Sequence, residues 1–284
     1  MKFKTVIGIG LFVFWNSALF GQYEYPSLSP KGQISQVIGN TTIDIEYERP
    51  SARDRKIFGE LVPWNKVWRT GAAYCTKISF DRSVVIGKQR VEAGKYSVFT
   101  VPNPEEWIVI LNSDTTLYGS SKYQSEKDVA RFAVIPSPSD RFYETLTFDI
   151  DLIPNNARIY ISWENTQISF DLVTSTDEEM MNYIDGFLLT KKEKKSDQYA
   201  EAADHLNFLN TRLNEALLLT DIALEKDKNS GFARRVKMDI YEKLHLYQEA
   251  IEVINQAMEN EKYQNEIPHW LAHKERIVNK MKSE

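Results

Sequence analysis

Arg49, Arg53, Arg55 and Arg69 fall within residues 49–73, together with Trp64 and Trp68. A guanidinium is a planar fork of donors that matches the edge of a carboxylate or phosphate, and an indole face is a flat apolar platform that attracts cations. Side chains of these types suit recognition of an anionic or sugar-like ligand better than they suit proton transfer. A second reading is open: the arginines pair with carboxylates at the edge of a core and stack on the tryptophans as scaffold. Pro50, Gly59, Pro63 and Gly71 prevent the stretch from being one helix or one central strand. Ile57, Phe58, Leu61, Val62, Val67 and Trp68 nevertheless ask to be buried. The expectation is a long crossing segment pinned by apolar anchors, with its guanidinium groups held between aromatic faces.

Other chemistry is thin. The four histidines, His205, His245, His269 and His273, all lie late in the chain, which leaves the first part without one for acid–base or triad work. His269 and His273 have the i, i+4 spacing that chelates a metal on one helix face, but no glutamate between them and no third ligand complete a zincin pattern. Arg69-Thr70-Gly71 is close to the K-T-G strand of penicillin-recognising serine enzymes, yet no serine is followed three residues later by lysine. Cys75 is the single cysteine, so an intramolecular disulfide is excluded, and it reads as a small core residue. Asp149 and Asp151 share one face of a strand, a spacing open to glycosidase chemistry and equally to a wet strand face. No catalytic residue, cofactor or metal is assigned.

The stretch R-P, then R-K-I-F-G-E-L-V-P-W-N-K-V-W-R-T-G-A, resembles the signature of a secreted bacterial family common in Bacteroidota, domain of unknown function 2911. Further matches are V-E-A-G-K-Y-S-V-F-T-V-P from Val91, E-W-I-V-I-L-N from Glu106 and S-W-E from Ser162. The resemblance covers residues 29–173 and implies no particular activity. One departure stands out: where the family pattern continues W-R-T-G-A-N-E, this chain has Ala73 and Tyr74, so the turn lacks that amide and carboxylate.

These residues must be positioned by elements that the hydropathy pattern outlines. Lys2 and Lys4 precede an apolar run from Val6 to Trp15 and a small polar region, the pattern of a cleaved signal peptide over residues 1–21. The run is too short for a comfortable span of ~20 residues. The mature chain is expected to begin near Gln22, in the periplasm or outside the cell, with no stable membrane span. Cleavage removes two lysines and no acid, taking the net charge from −5 to −7. Such a balance argues against nucleic acid as a partner.

From residue 33 to 173 the period is two: Ile43, Ile45 and Tyr47 alternate with Asp44, Glu46 and Glu48. Val84, Val85 and Ile86, then Gln89, Arg90 and Val91, flank Gly87-Lys88 as a hairpin. Short strands continue at 96–101, 107–111, 129–135, 146–152, 159–163 and 168–173, predicting an antiparallel β-sandwich, with an open barrel as alternative. Near Asp177, a candidate N-cap, the pattern turns helical. Helices are expected near 177–192, 197–209, 211–226, 231–244, 247–261 and 267–282. A period of 34 residues relates Glu215-Ala216-Leu217 to Glu249-Ala250-Ile251, and Ala223 to Ala257, a tetratricopeptide-like signature. The charged run at 191–195 reads as a solvated helix end or linker.

The expected architecture is α+β in two domains, a β-sandwich over 22–176 and a helical hairpin stack over 177–284. The functional expectation is an exported, non-catalytic binding or scaffolding protein. Its ligand residues are Arg49, Arg53, Arg55, Trp64, Trp68 and Arg69, its partner a protein or an anionic or sugar-like small molecule. The alternative is a cofactor-free hydrolase acting on envelope or polysaccharide material.

Overall fold

The computed structural model describes residues 24–190 and 195–283. The expected signal peptide and most of the charged run at 191–195 lie outside them.

Ten strands form two antiparallel sheets. The six-stranded sheet has the order β1 (Lys31–Ile38), β2 (Thr41–Glu48), β3 (Thr76–Phe80), β6 (Gly94–Val101), β7 (Trp107–Asn112) and β8 (Asp128–Val134). The four-stranded sheet runs β5 (Gln89–Val91), β4 (Val84–Ile86), β10 (Asn156–Thr174) and β9 (Ser137–Ile153). Alternation sets the facing: in β2, Thr41, Ile43, Ile45 and Tyr47 are buried while the residues between them are not. Both sheets contribute to one core, Ile43, Ile45, Ile78 and Trp107 from the first and Leu146, Ile159, Ile161 and Trp163 from the second. The β4–β5 hairpin turns at Gly87 and Lys88, both left-handed with φ of 56° and 64°, as a two-residue turn requires.

The last two strands differ from expectation. The separate strands read at 146–152, 159–163 and 168–173 are parts of one long hairpin, with β9 of 17 and β10 of 19 residues. Glu164, with φ of 52°, is absorbed as a bulge with register shifts on either side, so β10 continues through the place where the pattern suggests a break.

Six α-helices follow: α1 (Thr176–Tyr183, extended by a π-helical turn Ile184–Leu188), α2 (Ser196–Phe208), α3 (Leu213–Lys226), α4 (Gly231–Lys243), α5 (Tyr247–Met258) and α6 (Ile267–Ser283). From α2 onward each packs on the next. Ala216, Ala223, Ala250 and Ala257 are fully buried in α3 and α5, where small side chains permit close helix approach. The architecture is α+β, with sheets first and a helical stack after.

Asp177 is not the N-cap. That position is Ser175, and Asp177 sits in the first turn, where its Oδ1 accepts from Asn155 Nδ2 at 2.6 Å. The carboxylate is drawn away by the β9–β10 turn. The same Asn155 Nδ2 lies 2.8 Å from His205 Nε2 on α2, so one side chain ties the sheet hairpin to two helices. Thr176 Oγ1 accepts from the Asn40 amide at 2.9 Å, and Arg82 pairs with Glu179 at 2.7 Å.

Candidate functional site

Residues 49–75 leave β2 and re-enter at β3, and between them they touch both sheets. Backbone bonds from Ala52 N to Glu144 O and from Leu146 N to Pro50 O hold the segment to β9. Further on, Trp68 and Thr100 exchange backbone bonds of 2.7 and 2.9 Å, holding it to β6. Ile57, Phe58, Val62 and Trp68 are its buried anchors, but Val67 is only half-buried and Leu61, expected inside, is exposed. Their rings pack on one another: Phe58 lies edge-on to Trp107 at 4.9 Å, and Trp68 stacks on Trp163 at 5.8 Å and 21°. Arg53, Asp54, Asn65, Thr70 and Ala73 all have left-handed φ between 45° and 58°. Non-glycine residues in that region cost about 1–3 kcal/mol each and persist only where their surroundings over-determine them.

The expected sandwich of guanidinium groups between indole faces is not formed. Among the described residues, the one guanidinium of this segment set over a ring is Arg49, 6.0 Å from the centroid of Tyr47. Among the described residues, pairing with carboxylates at the core edge is not found for these arginines either. Arg49 spends its donors on Leu146 O and on the hydroxyls of Thr145 and Thr147, at 3.1–3.3 Å. Arg53 Nη2 donates to Leu28 O at 2.7 Å. Arg55 donates from Nε to Ala52 O at 2.9 Å and from Nη2 to Ser51 O at 2.6 Å. The indoles prefer each other because the segment is pulled inward, and the guanidinium groups find carbonyl oxygens on the way.

Arg53, Arg55, Trp68 and Arg69 nonetheless meet. With Lys66 they line one open cavity of about 400 Å³, walled by Val62, Pro63, Val67 and Trp163. Among the described residues, no acidic one lines it. Among the described residues, none of Arg53, Arg55, Lys66 and Arg69 has an ion-pair partner. Two carboxylates lie close to the segment without lining the cavity: Glu144 Oε1 accepts from the Arg53 amide at 2.9 Å and Glu164 Oε1 from the Ile57 amide at 3.3 Å.

Arg69 is the innermost of the cations. The turn around it is tied at three points: Thr76 N donates to Arg69 O at 3.2 Å, Thr70 Oγ1 lies 3.1 Å from Thr100 Oγ1, and Trp68 Nε1 donates to Gly71 O at 3.1 Å. Its Nε is buried and has no hydrogen-bond partner. Burial pushes the guanidinium below its ordinary value, while Tyr118 works in the opposite direction. An arginine so held remains cationic at neutral pH.

Arg49 and Trp64 stand apart from this cavity. Arg49 is tied to β9 through Nε and Nη2, and Trp64 lines a different hollow of about 330 Å³ with Pro104, Trp107 and Pro136. Lys66 and Trp163 belong to the cavity and were not singled out from composition. Lys66 sits between the two tryptophans of the segment, and Trp163 arrives from β10, far along the chain. A larger hollow of about 480 Å³ against β1–β3 sets Lys31 and Lys77 beside Glu46 and Glu48, so its charges cancel. Cys75 is buried, its Sγ 2.9 Å from Ser97 Oγ. Asp149 and Asp151 lie on an exposed face of β9, as the wet-face reading has it. His269 and His273 bring their Nε2 atoms to 3.1 Å, with no third histidine, cysteine or carboxylate grouped with them among the described residues.

A protein-family model described as Protein of unknown function (DUF2911) matches residues 29–172, which takes in both sheets and the crossing segment. No curated protein and no solved structure matches the chain.

Proposed function

Since the chain belongs to the family described as Protein of unknown function (DUF2911), we propose from its own geometry that it is an exported, non-catalytic binding protein. The ligand site is the cavity of Arg53, Arg55, Lys66, Trp68 and Arg69, and the tetratricopeptide-like stack serves as a partner-binding region. The observation that carries this reading is a set of four cations around one cavity with no carboxylate among the described residues that line it. Arg53, Arg55 and Lys66 are exposed and keep their water, whereas Arg69 is half-buried without an ion-pair partner, and an unpartnered charge drawn out of water is costly. A cavity of this size, with apolar walls and a few convergent polar groups, is a ligand pocket in form. A hydrolase finds less support: Ser29, Ser51 and Ser120 line the cavity, but no histidine or carboxylate is there to activate them. Export rests on Lys2, Lys4 and the apolar run after them.

The test is mass spectrometry of small molecules released on denaturing protein purified from its native cell. A compound present with the wild type and absent from folded Arg69→Lys protein is the expected result. A wild type carrying nothing, with an Arg69→Lys protein that fails to fold, would return the arginine to a structural role.

A further inference from the structure

On α6 the geometry points to a second site, independent of the cavity: His269 and His273 form a two-point chelate for one late transition-metal ion of the Cu2+, Ni2+ or Zn2+ class. Positions i and i+4 lie one turn apart on the same face of a helix. Here both imidazoles turn their Nε2 atoms toward one point, 3.1 Å apart. A histidine nitrogen sits about 2.0–2.1 Å from a metal of this kind. Two such nitrogens at an angle between square and tetrahedral are therefore about 2.9–3.4 Å apart, and the pair falls inside that interval. The ring centroids are 4.5 Å apart and the planes 83° to each other, so the rings converge on their Nε2 corners instead of stacking. A proton shared between the two nitrogens gives the same spacing. A metal ion takes that proton's place, the proton passing to Nδ1 or to solvent.

The helix holds the pair in place. Trp270, between the two in sequence, is buried with Ile277 and anchors α6 on the stack. His273 is half-buried and His269 exposed, so the inner ligand is constrained and the outer one is open to an arriving ion. Arg276 Nη2 lies 3.4 Å from His273 Nδ1, a long contact. Its Nη1 donates to Glu242 Oε1 at 2.6 Å, and Lys280 reaches the same oxygen at 3.4 Å. Glu242 thus offsets the guanidinium charge beside the chelate. Among the described residues no third histidine, cysteine or carboxylate is grouped with the pair, so the remaining positions on the ion are open to water. Imidazole nitrogens favour Cu2+, Ni2+ and Zn2+ over Mg2+ and Ca2+, which take oxygen ligands.

The test is isothermal titration of the tag-free mature chain with CuCl2, NiCl2, ZnCl2 and MgCl2 in a buffer that does not chelate metals. One Cu2+ per chain should bind, more tightly than Ni2+ or Zn2+, and Mg2+ should give no heat of binding. His269→Gln and His273→Gln should each weaken Cu2+ about tenfold or more, because either change leaves a single imidazole in place of a linked pair. Helical circular dichroism should be the same in both variants as in the wild type. In proton spectra, a small fraction of an equivalent of Cu2+ should broaden the imidazole resonances of His269 and His273 before those of His205 and His245. Undiminished Cu2+ binding in the double variant His269→Gln, His273→Gln would overturn the proposal. So would broadening that begins at His205 or His245, Mg2+ binding as tightly as Cu2+, or no binding of any of the four ions. The double variant should still carry the compound released from the wild type, so failure here and failure of the cavity reading are told apart.

Discussion

The indoles of Trp68 and Trp163 lie stacked, 5.8 Å between centroids and 21° from parallel, although 94 residues separate them in sequence. One comes from the crossing segment and the other from β10, so this contact joins the wall of the cavity to the core of the sandwich. Phe58 and Trp107 complete the cluster, each edge-on to Trp68. Trp68→Ala should therefore cost about 3–5 kcal/mol, the range for emptying a large aromatic site. Urea denaturation measures it, and a loss below about 1 kcal/mol would mean that the segment is held by its backbone bonds alone.

Arg69→Lys separates site from scaffold. The Nε that lysine cannot replace has no partner in the structure, so no hydrogen bond is lost with it. The denaturation midpoint should stay within about 0.5 kcal/mol of the wild type, as for substitutions outside packed or bonded positions. A drop of about 1–3 kcal/mol would show that the guanidinium is a structural cation.

Gly59 is where a methyl group does most harm in the segment. Its φ is +91°, and a Cβ there would meet Trp64 Nε1 at 2.4 Å. Gly59→Ala should destabilise by about 1–3 kcal/mol, combining backbone strain with a displaced indole. Gly186, in the π-helical turn after α1, has open space around it. Gly186→Ala should leave stability unchanged or raise it by up to about 1 kcal/mol. Thermal melts of the two proteins side by side check both signs.

Tyr123 should titrate late. Its hydroxyl donates to Asp128 Oδ2 at 2.6 Å, and burial, followed by that carboxylate, pushes its pKa up to about 12. The fold holds the neutral phenol, so this stabilisation is full below the ordinary tyrosine value near about 10 and is lost as pH rises through the folded value. An alkaline absorbance titration should show a late phase that Tyr123→Phe removes and Asp128→Asn shifts earlier. A late phase unchanged in both variants would assign it to another tyrosine.

Asn155 is the joint between sheets and helices. Its Nδ2 serves Asp177 and His205 together, at 2.6 and 2.8 Å. Asn155→Ala should cost about 1–2 kcal/mol, the worth of two partly buried polar contacts, one of them to a charge. The loss should appear as an earlier melting phase in helical circular dichroism, ahead of the sheet signal. A single transition shifted as a whole would show that the two halves unfold as one unit.

The class of architecture was legible in the chain itself because it depends on local periods. Ile43, Ile45 and Tyr47 alternate, while Ala216, Ala223, Ala250 and Ala257 recur at helical spacing, and each pattern names its element without reference to anything distant. The β4–β5 turn was equally local, since Gly87-Lys88 must take the left-handed region. Four residues of the candidate site, Arg53, Arg55, Trp68 and Arg69, were also visible as types in one stretch. Tertiary structure alone decided which of them meet. Arg49 turned to the hydroxyls of Thr145 and Thr147, and Trp64 to a separate hollow, because the fold of a loop rich in glycine and proline is set by its anchors and not by a repeat. Glu144 and Glu164 were set by the β9–β10 hairpin onto the backbone amides of Arg53 and Ile57, and neither is among the residues that line the cavity. Direction and neutralisation of a charge depend on groups brought together from far along the chain, and no spacing within a single stretch carries that information.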